Sequence, residues 1–77
     1  MMALIKEFVQ KTRDRLAIHP TEVSAHIYVQ EVDGRKLVQI DTHGAADRQI
    51  PGKVSQTLQL DEPAAKELLT ILMRHFD

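Results

Sequence analysis

The sequence predicts an α+β domain: a small antiparallel sheet of three to four strands, with an N-terminal helix and a C-terminal helix packed on one face. Three observations carry this. Residues 23–32 alternate apolar and polar side chains, Asp33-Gly34 follows directly, and residues 62–76 switch to an apolar spacing of three and four. Strict alternation marks a half-buried strand, whereas the three-four spacing marks one face of a helix. Asp-Gly is a preferred pair for a two-residue hairpin turn, because Gly takes positive φ at no steric cost. All 77 residues, 1–77, are expected to form a single domain.

Leu4, Ile5, Phe8, Val9 and Leu16 fall on one side at helical spacing, with Lys6, Lys11, Arg13 and Arg15 mostly elsewhere, which predicts a helix over 3–17. His19-Pro20-Thr21 ends it, since proline disfavours the α conformation in the residue before it. In the 23–32 strand Val23, Ala25, Ile27 and Val29 share one side, and Ser24, His26, Tyr28 and Gln30 the other. Residues 36–43 make the return strand. The connection from Gly44 to Gly52, with Asp47 and Arg48 near its middle, is longer than a hairpin needs. A third strand over 53–60 completes a sheet spanning 23–60.

Lys53, Ser55, Thr57 and Gln59 share one parity of that strand and form a polar stripe. Gln56 falls with Val54, Leu58 and Leu60, so a bulge reorients it or it caps the end of the sheet. Asp61 is placed to cap a helix over 62–76, and Pro63 is tolerated in its first turn. Ala65, Leu68, Leu69, Leu72 and Phe76 line one side of that helix, and Ile71 and Met73 widen the apolar arc beyond what one thin sheet covers.

A chain of this length buries only about 60% of its unfolded surface and usually needs a staple or a partner chain. No cysteine is present to supply a disulfide or a thiolate zinc site. His19, His26, His43 and His75 show no metal-ligand spacing, so no metal and no cofactor are expected. Oligomerisation is the remaining help, and the expected homodimer interface is Leu68, Ile71, Leu72 and Met73. No run of eighteen apolar residues occurs, and the segment after Met1 is too short for a signal peptide. A cytoplasmic protein with no membrane partner is therefore expected.

Net charge is −1, from ten Lys and Arg against eleven Asp and Glu. Residues 35–60 carry Arg35, Lys36, Arg48 and Lys53 against Asp41 and Asp47, so 4 − 2 gives +2. Residues 61–77 carry Lys66 and Arg74 against Asp61, Glu62, Glu67 and Asp77, so 2 − 4 gives −2. The sheet is mildly basic and the last helix mildly acidic. A polyanion would meet one face only.

The run from Tyr28 to Leu72 resembles the single-stranded-DNA-binding domain of the transcriptional coactivator positive cofactor four family. Gly34, Lys36, Val38, Ile40, Asp41, Pro51, Gly52, Lys53, Leu58 and Leu68 carry the resemblance through their order and spacing. It implies a curved antiparallel sheet backed by a helix, a dimer formed through that helix, and a nucleic acid on the concave sheet face. His19-Pro20-Thr21-Glu22-Val23 and Lys53-Val54-Ser55-Gln56 are similar to small bacterial proteins labelled methionyl-tRNA formyltransferase-like. A formyltransferase needs a folate pocket and a catalytic domain far larger than this chain, so that similarity implies no mechanism.

The candidate binding residues are Lys53, Arg48, Arg35 and Lys36 for phosphate, Ser55, Thr57 and Gln59 for hydrogen bonds, and Tyr28 for stacking on a base. Arg48 is suited to clamp a phosphate bidentately. Asp41 and His43 lie two apart on a strand and share a face, with Ser55 as an imagined nucleophile. There is no nucleophile elbow and little volume for a pocket, so no enzyme and no small-molecule substrate are expected. Two classes remain. One is a homodimer that binds single-stranded DNA or RNA; the other is a small dimeric protein–protein adaptor, for which the near-neutral charge argues.

Overall fold

The computed structural model describes residues 2–43 and 54–77, with Ser55 described by its backbone alone. It has four strands, β1 (Met2–Ile5), β2 (Ala25–Val32), β3 (Arg35–His43) and β4 (Val54–Leu60), followed by one helix, α1 (Glu62–His75). The strands lie in the order β1-β4-β3-β2 in an open sheet. The Gly44–Gly52 connection with its Arg48, and the start of the third strand at Lys53, lie outside the described residues.

The β2–β3 hairpin forms as its turn chemistry dictates. Asp33 and Gly34 both take positive φ, 52° and 76°, the requirement of the turn whose twist matches that of the flanking strands. The two-residue loop fixes the register, so Tyr28 faces Gln39 and His26 faces Asp41. β4 adds antiparallel to β3, with Gln39 opposite Gln59 and Asp41 opposite Thr57. Its register shifts between Thr42 and His43, so the ladder is irregular beside Gln56. Gln56 is exposed and carries no burial penalty.

The predicted N-terminal helix over 3–17 is overturned. Met2–Ile5 is a strand paired parallel to β4, with Ile5 opposite Leu60, and residues 6–24 contain neither helix nor strand. A lone helix of that length is marginal in water, and between Val9 and Leu16 no apolar residue offers it a face to bury. The open edge of β4 supplies backbone partners to Leu4 and Ile5 instead. The expectation of a purely antiparallel sheet falls with the helix, because β1 makes the sheet mixed.

Asp61 joins the two ends of the chain. Its Oδ1 accepts the Ala64 N–H at 3.0 Å and caps α1, as its position before Pro63 predicts. Its Oδ2 lies 3.5 Å from Lys6 Nζ, and its backbone N–H donates to the Ile5 carbonyl. At the other end Phe76 N–H returns to the Leu72 carbonyl.

The core of one chain is thin. Among the described residues only Leu60 and Ala64 are buried apolar side chains, at 3% and 0% exposure. α1 packs on β3 and β4. Ile27 and Val29 of β2, on the same side of the sheet, stay exposed, Val29 at 76%. The accessible surface is 7102 Å², against about 4,800 Å² for a folded monomer of this mass. The radius of gyration is 14.6 Å, where a compact chain of this length gives about 11.5 Å. A single copy leaves surface uncovered.

Candidate nucleic-acid interface

Strand parity divides the sheet into two chemically different sides. Register places Ile27 and Val29 with Val38, Ile40, Leu58 and Leu60 on the side that carries α1. The opposite, open face collects His26, Tyr28 and Gln30 from β2, Arg35, Leu37, Gln39 and Asp41 from β3, and Thr57 and Gln59 from β4.

A hydrogen-bonded ladder crosses the middle of the open face. Asp41 Oδ1 accepts from Thr57 Oγ1 at 2.9 Å and from Gln39 Nε2 at 3.1 Å. Gln39 Oε1 in turn accepts from Gln59 Nε2 at 2.9 Å. An ionised carboxylate only accepts, so Asp41 fixes the sense of both amides. Their NH₂ groups point along the ladder toward Asp41, and the carbonyl of Gln59 forms its outer end. Asp41 itself is buried, so the row is held from below.

Beside the ladder runs a groove of about 350 Å³, lined by Tyr28, Gln30, Val32, Leu37, Gln39, Asp41 and Gln59. Tyr28 is partly exposed, and its ring meets His26 edge-on with centroids 6.5 Å apart. His26 Nδ1 and His43 Nε2 are 3.0 Å apart, with ring centroids at 4.1 Å. Flat apolar and aromatic groups beside fixed amides suit a planar ligand that carries both donors and acceptors. A nucleic-acid base is such a group.

The structure brings together Tyr28, Thr57 and Gln59 of the sequence candidates, and places Arg35 on the same face by parity, at the hairpin end of β3. Lys36 falls on the other side. It lines the cleft beside α1, where Lys66 hydrogen-bonds Glu62 at 3.0 Å. That bond, with the charges of Lys66 and more distantly Lys36, holds the Glu62 carboxyl below its usual range. Lys53 and Arg48 lie outside the described residues, as does the Ser55 side chain. The Asp41–His43 pairing imagined for catalysis is replaced by two other contacts: Asp41 Oδ1 serves Thr57 and Gln39, and His43 meets His26.

Gln39 and the anchoring role of Asp41 escaped sequence reasoning, although half of the signal was present. A two-residue hairpin pairs positions equally far from Asp33-Gly34, which places Gln39 beside Tyr28. The β3–β4 register that brings Thr57 to Asp41 depends on a long connection and had no such marker. Among the described residues no helix is long and apolar enough to cross a membrane, and no group of three or more His, Cys, Asp or Glu is placed to hold a metal ion.

No family model matches the chain, and no curated protein or solved structure is detectably similar to it.

Of the residues expected at the dimer interface, Leu72 and Met73 are exposed and Leu68 and Ile71 are half-buried within the chain. Leu69 and Phe76 are exposed with them. The outward apolar stripe of α1 is thus Leu69, Leu72, Met73 and Phe76, continuous with Val29 and Val38 across a cleft of about 500 Å³.

Proposed function

We propose that this chain is a non-enzymatic, homodimeric protein that binds single-stranded nucleic acid on the open face of its sheet. The observation that carries the reading is the Gln59–Gln39–Asp41–Thr57 ladder lying beside the partly exposed Tyr28 ring. Tyr28 stacks on a base, the free amide positions of Gln39 and Gln59 meet its edge, and Arg35 contacts the backbone phosphate. Lys53 and Arg48 are the further phosphate contacts in this reading. The resemblance to the positive cofactor four family supports the same assignment. The uncovered apolar stripe of α1 supports the dimer, since a contiguous apolar patch of that extent marks an interaction site.

A specific observation favours the adaptor as the second reading. Arg35 is the one Lys or Arg on the open face among the described residues, and the Asp41 carboxylate lies near the centre of that face. Fluorescence anisotropy with a labelled single-stranded oligonucleotide, at two salt concentrations and with a duplex competitor, separates the two. Saturable, salt-sensitive binding that the duplex competes for poorly is the expected result. A flat titration at low salt rejects the nucleic-acid reading in favour of the adaptor.

A further inference from the structure

We infer that residues 9–23 form an exchange arm, which seats on the α1 cleft of a second copy of this chain. The inference rests on the homodimer part of the reading above and is independent of nucleic acid.

The arm is chain that its own domain does not use. β1 and β2, which it joins, are the two outer strands of the sheet. Four strands side by side span about 15 Å, whereas the residues between β1 and β2 reach about 60 Å when extended. Between Val9 and Val23 the one hydrogen bond among the described residues is local, from Thr21 N–H to His19 Nδ1. Leu16 and Ile18 are 86% and 97% exposed. Single exposed apolar residues are ordinary. A long connection that buries none of its apolar residues on its own domain is not.

The cleft is the matching deficit. Val29, Val38, Leu60, Ala65 and Leu69 line its apolar floor. Within its own chain the arm starts on the other flank of α1, away from the cleft. There Phe8 N–H donates to Glu67 Oε1 at 2.6 Å, and Phe8 and Gln10 border a hollow with Thr70 and Arg74.

Charge does not oppose this docking: residues 9–23 carry Lys11, Arg13 and Arg15 against Asp14 and Glu22, so 3 − 2 gives +1, and the rim of the cleft sets Lys36 and Lys66 against Glu31 and Glu62. The surface excess of about 2,300 Å² per chain over a compact monomer also exceeds the ~800 Å² per partner of a standard interface. Helix pairing through Leu72, Met73 and Phe76 leaves the Ala65–Leu69 half of the stripe for the arm.

The chain has no native cysteine, so engineered thiols report contacts without background. An affinity-tagged Ile18→Cys chain and an untagged Leu69→Cys chain are mixed under reducing conditions, allowed to exchange, and oxidised. The expected product is a heterodisulfide between the two chains, at least fivefold in excess over either homodisulfide. The double variant Ile18→Cys/Leu69→Cys is expected to give a covalent dimer. Lys66→Cys, on the rim of the cleft and exposed, repeats the test should Leu69→Cys disturb folding. A double variant that closes within one chain overturns exchange. So does a dimer by light scattering that yields no heterodisulfide at either position, in which case the dimer reading stands without the arm. A monomer by light scattering overturns the dimer reading and the arm together.

Discussion

The two faces of the sheet solve opposite problems. On the open face the central polar groups are satisfied by one another, through Thr57, Asp41, Gln39 and Gln59, and exposed apolar side chains, Met2, Leu4 and Val32, stand only on its outer strands. On the face that carries α1, Val29, Leu69, Met73 and Phe76 stand in solvent, with no other element among the described residues to cover them. A satisfied polar surface is free to exchange water for a polar ligand. An unsatisfied apolar one demands protein. On the function proposed above, a second copy takes one face and a nucleic acid the other.

The strongest way to break this division is to charge the apolar side. Leu72→Asp places a carboxylate in the stripe that the proposed dimer buries, where an unpaired charge costs several kcal/mol. Dimer and folded protein are both expected to be lost at micromolar concentration, read by light scattering and circular dichroism. A folded, dimeric Leu72→Asp chain removes the helix from the interface.

Tyr28→Ala tests the other face with the next largest effect. Loss of one stacking contact is worth about 1–3 kcal/mol, or roughly 5- to 150-fold in affinity for single strands. The slope of log affinity against log salt is expected to stay constant, because stacking releases no counterions. Thr57→Val takes one donor from Asp41 and is expected to cost about 0.5–1.5 kcal/mol in urea unfolding. Its effect on binding should be small, since Thr57 supports the ladder from the Asp41 end.

Arg35 and Lys36 are adjacent in sequence and on opposite faces, so they sharpen the comparison directly. Arg35→Ala is expected to lower the salt slope by about 0.7, the value for one phosphate contact on a single strand, and Lys36→Ala to leave it unchanged. Equal losses from both would show that parity does not divide the binding residues. The smallest effect is that of Glu62→Gln. The carboxyl is held below its usual 4.5 by Lys66 and Lys36, so it stabilises the folded state above that value, and the contribution fades as pH falls through the lowered one. Wild type is expected to exceed Glu62→Gln slightly in urea midpoint at pH 7, with the difference shrinking as pH falls below 4.5.

Much of this architecture was legible because its signals are local. The Asp33-Gly34 turn dictates the hairpin and its register. Asp61 and Pro63 announce the start of α1, and the parity of Thr57 and Gln59 puts them on one face. The N-terminus was not legible, because Leu4 and Ile5 satisfy a helical spacing and a short strand equally well. What decides between them is the free edge of β4, more than fifty residues away in sequence, and no local propensity encodes it. The same limit hid the role of Asp41. Its partner Thr57 arrives only through the β3–β4 register, and a lone Asp in a strand reads as easily as a catalytic or solvated group.

The division of labour between the faces is tested most directly by amide and methyl chemical shifts during titration with a single-stranded oligonucleotide. The side-chain NH₂ signals of Gln39 and Gln59 and the ring of Tyr28 are expected to move together and saturate, while the methyls of Val29, Leu69 and Met73 stay in place. Movement of the helix-side methyls with still glutamine amides, or no movement on either face, would contradict the account.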